Sequence, residues 1–524
     1  MDSDAIATVG SPEWWLNHLC NRFVARDRTY DVPDVDGWRQ PVYWRTRRER
    51  LNLLWSYYIG RPPLPRIGEK ARETFRDVLR TARANYAPKA IQPVVDRMDL
   101  LGVRTGVTDG VEGDDVAQRI MEYSNFAAAI KDALAYLFVL SESYLMAIPA
   151  ADGVADRTPL ITAEDPRTCI GDPDPMNPNH LRAALKLGYD SMANRVLAWL
   201  FLDGRKYSAS CPGSDMWALA SYGASSFEWD AAPVALPELD SVDSNVPIIQ
   251  LVNARGMGEF EPHLDVLDRI NDGIMRRIQI SAFQSAKQRA IIGDLEGDEL
   301  DEDSPAEEID WDTVFDAAPD ALWRVPAGTT FWESNPADLT GILTAIRDDV
   351  KEFAGCVDTP LHLITPDAAN QTAEGASALR EGLVFKVRDR RARVQPRLVE
   401  LFKMAFAFAG ESDRTSNIEL IWGPVESFSL TEKSTAVLQT KGVLSRARQL
   451  QDIMEMTPDQ IQQNEQELAQ DAILDSALGV AGAGQVRVTE TAKDVNQPGA
   501  PTSAPTPATP AAPQRNGQPT PSVP

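Results

Sequence analysis

Apolar side chains recur every three or four positions through two long stretches of the chain. Leu264, Leu267, Ile270, Ile274 and Ile278 fall on one stripe of a helix predicted over 259–292. Leu339, Ile342, Ile346, Val350 and Phe353 do the same over 336–355. Pro262 suits a first helical turn, and Glu259, Glu261 and Asp265 complement the positive end of the helix dipole. Arg276, Arg277, Lys287 and Arg289 load the other end, and Gly293 stops the helix. In the second stretch Ser334 or Asn335 can cap, Pro336 fits the first position and Gly355 ends the helix. At about 1.5 Å per residue these helices reach roughly 45 Å and 30 Å. A long helix with one narrow apolar face needs partners. Either it packs in a bundle within one domain, or many copies of such a hairpin stand in a ring.

The rest of the chain changes period twice. Residues 11–30, 41–59, 71–84 and 85–102 read as helices, with a strand at 103–107 and one longer helix over 116–140. The helix over 41–59 carries Arg45, Arg47, Arg48 and Arg50 before Trp55, Tyr57 and Tyr58, and Gly60, Pro62, Pro63 and Pro65 break it. Those arginines read as a solvated face or, less simply, as a phosphate-binding one. From 141 the period becomes two. Strands are predicted at 141–148, 160–163, 181–189, 195–202, 205–208, 216–222 and 247–252. Asp203-Gly204 marks a type I′ hairpin between two of them. Between the long helices, 322–325 and 329–332 read as a small hairpin around Ala327-Gly328. Beyond them, 373–409 is a further helix with a kink at Pro396, and 417–422 a strand. Helices over 431–440, 445–456 and 458–477 follow. From about 481 the chain is Pro, Ala, Thr and Gln, too poor in large apolar residues to fold.

The whole is α+β and mostly helical. Its 524 residues suffice for roughly two to four domains. A net charge of -25 disfavours tight nucleic-acid binding through a general basic surface. Cys20, Cys169, Cys211 and Cys356 lie far apart without a CxxC pair, which indicates neither zinc nor a disulfide framework and fits a reducing cytoplasm. The first ten residues are polar and acidic, unlike a signal peptide, and no apolar run reaches membrane-spanning length.

Candidate chemistry is thin. No GxxxxGK[ST] loop, HExxH pair or nucleophile elbow is present, and no cofactor is implied. A metal-dependent nucleic-acid enzyme would draw on Asp165, Asp172 and Asp174, but Pro166, Pro173 and Pro175 make that stretch an ordinary turn. The acidic run Asp294, Glu296, Asp298, Glu299, Asp301, Glu302 and Asp303 has Glu299 where a calcium loop needs glycine. It reads equally as a solvated loop or as a docking surface for a basic partner. Lys386, Arg388, Arg390, Arg391, Arg393 and Arg397 spread over several helix faces. They suit salt bridges within or between subunits better than a DNA-reading stripe; DNA or capsid contact is the other option.

The order of parts carries a resemblance. WSYYIGRPPLP is followed by NYAPKAIQPVVDRMDLLGVRT, then by DPRTCIGDPDP and ALKLGY in the strand-rich region. PIIQLVNARGMGEFEPHLDVLDRINDGI, an insertion and FAGCVDTPLHLI come next. Over roughly 10–480 this set resembles the portal proteins of tailed bacteriophages, in the siphophage type found among phages of actinobacteria. The resemblance implies a wing over 1–255, a first stem helix over 256–293, a clip over 294–335 and a second stem helix over 336–356. A tunnel loop over 357–372 would offer Thr365, Asp367, Asn370 and Gln371 to DNA. A kinked helix and strand over 373–426 would return to the wing, ahead of a crown over 427–480 and a disordered tail over 481–524. It implies a dodecameric ring at one capsid vertex, assembled in the host cytoplasm and carried in the virion. Double-stranded DNA would pass without sequence specificity. The implied partners are the terminase large subunit, a head-tail adaptor, the major capsid protein and scaffold, and no membrane. The tunnel loop has Asp367 and no Lys or Arg, which leaves a DNA-gripping role for it in doubt. A scaffold or other vertex component is the remaining structural reading.

Overall fold

The computed structural model describes residues 8–25, 46–64, 80–107, 113–151, 157–213, 224–285, 289–292, 330–333, 339–365, 373–426 and 430–477, with Asp4, Ile6 and Gly153. It falls into two compact units, 1–462 and 463–524. Of the second, the described residues 463–477 are helical. The predicted strand at 216–222, most of the helix at 71–84, the acidic run from Asp294 and the tail lie outside the described residues.

The first unit is a mixed helix-and-sheet, α+β structure. In chain order its elements begin with α1 (Pro12–Val24), α2 (Arg47–Tyr58), α3 (Ala87–Val95), β1 (Leu100–Arg104), α4 (Asp115–Tyr123) and α5 (Phe126–Leu140). Strands β2 (Glu142–Ile148), β3 (Leu160–Glu164), β4 (Cys169–Pro173), β5 (Leu181–Asp190), β6 (Arg195–Leu202) and β7 (Arg205–Pro212) follow. Then come β8 (Glu228–Trp229), β9 (Val234–Ala235) and β10 (Ile248–Val252). The long helix α6 (Leu264–Ser285), β11 (Arg289–Ile292), β12 (Thr330–Glu333) and α7 (Thr340–Cys356) come next. After α8 (Leu361–Ile364), α9 (Ala373–Ala409) and β13 (Glu419–Trp422), the chain continues through α10 (Leu430–Gln439), α11 (Arg446–Asp452) and α12 (Pro458–Ala477).

Two apolar cores organise these pieces. The larger gathers Phe126 and Phe138 of α5, Tyr144 of β2, and Phe402 and Phe406 of α9 around the antiparallel sheet β10-β2-β3. Phe126 and Phe402 meet edge-to-face with centroids 5.4 Å apart, a favoured aromatic geometry. The smaller core lies between α1 and the sheet β4-β5-β6-β7-β8, where Leu16, Leu19 and Phe23 cover Leu185, Val196 and Ala198. The β6–β7 turn is as predicted: Asp203 (φ 48°) and Gly204 (φ 66°) both take the left-handed region that type I′ demands.

The departures have local causes. Residues 116–140 are two helices, because Asn125 sits at φ 45° between α4 and α5. The first long helix ends by Ser285 rather than running to Ile292, and Arg289–Ile292 instead pairs antiparallel with Thr330–Glu333. Consecutive β-branched Ile291 and Ile292 favour a strand once such a partner exists. That partner is β12, while the predicted hairpin turn at Ala327-Gly328 lies outside the described residues. The strand expected at 103–107 begins earlier, at Leu100, and pairs with β13. The helix expected over 373–409 forms as α9, from Ala373 to Ala409 with Pro396 inside it, and is no departure. Ala392, whose carbonyl loses its amide partner to Pro396, is exposed, so water can satisfy it.

Asp114 shows how one carboxylate fixes a junction. It caps α4 by accepting from the Val116 and Ala117 amides, both at 3.0 Å. It also accepts from Thr105 at 2.6 Å and pairs with Arg414 at 2.7 Å. Burial alone would raise its pKa, but the Thr105 hydroxyl, the Ala117 amide and Arg414 outweigh it and hold it below the ordinary 3.8. A depressed carboxylate stabilises the fold above its unfolded pKa and stops doing so as pH falls through the folded value. Asp114→Asn is therefore expected to lose about 1–2 kcal/mol at pH 7 by urea unfolding. That deficit should shrink at pH values below 3.8; a deficit unchanged in acid would contradict this account.

Candidate functional site

The turn from Asn253 to His263 hands the chain from β10 to α6, and it is held from three sides. Arg255 (φ 61°) and Gly256 (φ 64°) bend the backbone sharply. A Cβ on Gly258 would lie 2.4 Å from the Val139 carbonyl oxygen, so only glycine lets the turn close on the end of α5. The Glu259 amide donates to the Phe138 carbonyl at 2.8 Å from the same approach.

Two carboxylates enter the protein here. Glu259 is met by Lys386 at 2.9 Å and Arg390 at 2.7 Å, both from α9, and by Asn253 at 3.2 Å. Lys386 also donates to the Val357 carbonyl at 2.8 Å, just past the end of α7. Burial would raise the Glu259 pKa, but Lys386 and Arg390 outweigh it and hold it below the usual carboxylate range. Glu261 receives Arg50 of α2 in a two-point contact at 2.6 and 2.7 Å, and the Gly258 amide at 2.7 Å. Arg50 further reaches Ser141 at 3.2 Å and the Gly256 carbonyl at 3.1 Å. One polar network thus ties the foot of α6 and the exit from α7 to α2 and α9.

From this foot the two long helices run together. Leu264, Leu267 and Ile270 of α6 are buried, as are Val350 and Phe353 of α7. Farther out Ile274, Ile278, Ile342, Leu343 and Ile346 are only half-buried. Gly273 meets Ile346 so closely that a Cβ would stand 2.9 Å from its side chain, a close helix–helix approach. Arg269 crosses between them to Asp349 at 2.8 Å and Glu352 at 2.5 Å. A groove of about 370 Å³ beside this contact is lined by Asp265, Asp268, Asp272, Arg276, Ala345 and Asp349. At about 1.5 Å per residue, the 22 residues of α6 span roughly 33 Å.

The basic residues predicted on α9 are for the most part tied internally. Lys386 and Arg390 hold Glu259, and Arg393 pairs with Asp389 at 2.9 Å. Arg391 donates to the Arg97 carbonyl and lies over the Trp422 ring, 5.2 Å from its centroid. Burial, with Arg388 nearby, pushes its pKa down to about 10 against the pull of Asp99. Arg397 donates to the Pro178 carbonyl at 2.8 Å, and Arg388 is exposed. Of the arginines expected as a solvated face over 41–59, Arg50 holds Glu261 and Arg47 pairs with Glu142 at 2.6 Å; Arg48 is half-buried and Arg45 lies outside the described residues.

In the segment expected as a loop over 357–372, Leu361–Ile364 forms α8, and Val357, Thr359, Pro360 and Ile364 are buried. Thr365 is half-buried at its end; Asp367, Asn370 and Gln371 lie outside the described residues. Asp294, Glu296, Asp298, Glu299, Asp301, Glu302 and Asp303 do too. Asp172 is in strand β4 rather than a turn and is bridged by Arg22 and Arg182. Asp165 pairs with Arg167, and Asp174 accepts the Met176 amide at 2.8 Å. Among the described residues no cluster of three or more His, Cys, Asp or Glu is placed to hold a metal. The anchor at Glu259 and Glu261 was not foreseen, since its partners lie 131 and 211 residues away in sequence. The only local signal was two glutamates following a glycine-rich turn.

Removing one member of a buried ion pair strands the other. Arg50→Met should therefore cost about 3 kcal/mol or more, read from the urea midpoint. Arg50→Met with Glu261→Met should recover part of that loss. A single-variant change of under about 1 kcal/mol would show that Glu261 finds other compensation.

A comparison with curated proteins returned no match. Among solved structures, one similar chain comes from the neck of a native GTA particle computed with C12 symmetry. It shares 13% identity at a TM-score of 0.37, over 76% of this chain and 97% of that one. A family model described as phage portal protein, SPP1 Gp6-like, matches residues 43–473. The chain belongs to the SPP1 Gp6-like family of phage portal proteins.

Proposed function

We propose that copies of this chain stand side by side as a ring, dodecameric as the resemblance implies, at one vertex of a phage capsid. Double-stranded DNA enters through the ring during packaging and leaves through it at ejection, and the ring joins head to tail. One observation carries this reading. The paired helices α6 and α7 are firmly rooted at one end, while the apolar stripe of their outer half is only half covered within one copy. Neighbouring copies supply the missing cover.

On this reading α6 and α7 are the stem. The strands β11 and β12 open the clip over 294–335, which meets the terminase large subunit and later the head-tail adaptor. The segment 357–372 faces the bore, with Thr365, Asp367, Asn370 and Gln371 nearest DNA. Residues 1–255 and 373–426 form the wing toward major capsid protein and scaffold, and 427–480 the crown. The chain acts as a conduit in the virion, assembled in the host cytoplasm, and performs no chemistry itself. The force for packaging comes from the terminase.

The charge supports passage without capture. Each Lys or Arg contact to a phosphate adds salt-dependent affinity, and a wall dense in them would hold the duplex. A chain of net charge -25 with its α9 cations largely paired presents the opposite surface.

Electron microscopy of the purified protein should show annular particles with an open centre, and mass photometry a single large multiple of the 57.7 kDa chain. Gel retardation should find weak duplex binding, indifferent to sequence and abolished by moderate salt. A monomer at every concentration, or tight sequence-selective binding, would overturn the proposal.

A further inference from the structure

One stretch of the chain is held by polar contacts and shows its large apolar side chains to water. Helix α10 has no buried residue, and the buried residues of α11 are Gln449 and Gln451. Leu430 and Leu438 are 71% and 73% exposed, and Val443, in the turn that follows α10, is 82% exposed. Leu430, Ser434 and Leu438 recur at steps of four, which puts them along one side of the helix. Ser434 and Leu444 are exposed with them.

The stretch is closed on itself by hydrogen bonds and charge. Gln449 donates to the Val437 carbonyl at 3.3 Å and to the Thr440 hydroxyl at 3.1 Å. Lys433 meets Glu455 at 2.6 Å, and Arg104 of β1 reaches Gln451 at 3.4 Å. A ten-residue helix is marginal in water by propensity alone and draws its stability from an apolar face packed on something. Within one copy Ala436 and Val437 are half-buried, and the side through Leu430 and Leu438 is left open. An open apolar side of this kind marks a place of contact.

Charge decides what can cover it. Over 430–456 stand the cations Lys433, Lys441, Arg446 and Arg448 and the carboxylates Glu432, Asp452 and Glu455, a net of +1. The whole chain carries -25. Copies of so acidic a chain repel wherever acidic faces meet, so contact between them falls where charge is balanced and apolar area is offered. This stretch meets both conditions. A duplex is gripped through its phosphates by dense Lys and Arg, but here Lys433 is paired with Glu455 and Arg448 lies 4.0 Å from Asp452.

We propose that the open side of α10, with the turn at Val443, docks against a second copy of this chain and that α10 gains its stability from that contact. This inference rests on the ring reading above and names one of its contacts.

The test is hydrogen–deuterium exchange on the full chain, with ring and monomer fractions separated by gradient sedimentation. Amides of 430–444 should exchange about tenfold or more slowly in rings than in monomers, while those of 398–406 in the core of α9 stay slow in both. Leu438→Ser with Val443→Ser replaces two exposed side chains, so circular dichroism and urea unfolding should match the parent. In mass photometry the rings of that variant should dissociate at about tenfold higher protein concentration than the parent's. Slow exchange over 430–444 in the monomer overturns the inference, because the chain then covers α10 itself. Protection of the monomer by added duplex overturns it too, because DNA is then the occupant. So does a folded double variant whose rings persist as the parent's do. A parent that forms no rings removes the ring reading along with this contact; rings whose 430–444 amides exchange as fast as the monomer's remove this contact alone.

Discussion

Two glutamates, with one residue between them, leave water at the turn where the sheet gives way to the long helix. An ionised carboxylate in the interior is expensive unless cations and hydrogen bonds surround it. Glu259 has Lys386, Arg390 and Asn253; Glu261 has Arg50 and the Gly258 amide. None of these partners is local, save Asn253 and Gly258. The requirement to satisfy both charges at once therefore fixes α2 and α9 relative to the foot of α6, and the close approach of Gly258 adds α5. Apolar burial could tolerate small slides among these helices. A two-point guanidinium–carboxylate contact does not, because its geometry is directional.

The long helices α6 and α7 inherit their direction from that foot. Lys386 bonds Glu259 and the Val357 carbonyl together, so the start of one helix and the end of the other share a single cation. Arg269, with Asp349 and Glu352, then keeps them in register farther along, and Gly273 lets them close. Surface ion pairs such as those of Arg269 contribute little free energy. Their use here is alignment. A hairpin rooted in this way can keep an incompletely covered apolar stripe without shifting against the elements that anchor it.

Much of this was legible in the chain, and the parts that were not share a cause. The period of three and four at Leu264–Ile278 and Leu339–Phe353 marked both long helices, and Asp203-Gly204 marked its hairpin to the residue. Those signals are local. The end of α6 was misplaced because Arg289–Ile292 continues a helical spacing, while its conformation depends on a strand some forty residues on. Asn125 interrupts 116–140 by one left-handed residue that no periodicity encodes. Glu259 and Glu261 look like helix-dipole partners in the sequence. Only folding reveals that they are the acceptors for Lys386, Arg390 and Arg50. Arginine patterns were the least legible: the same residue type serves as solvated surface, buried pair or stacked plate, and the choice is tertiary.

On the proposed reading, that last ambiguity bears on how the protein handles DNA. The densest basic segment, on α9, reads in isolation as a polyanion grip. In the fold, Lys386 and Arg390 are bound to Glu259, Arg391 to a carbonyl and the Trp422 ring, and Arg393 to Asp389. A cation already paired with a carboxylate releases fewer counterions on meeting a phosphate and adds correspondingly less affinity. The ion pairs that root the long helices thus also withdraw positive charge from the surface. On the proposed reading, rigidity and low friction toward DNA have one origin. A portal that anchored its stem through apolar contacts alone would have to remove those same arginines from its sequence to pass DNA as freely.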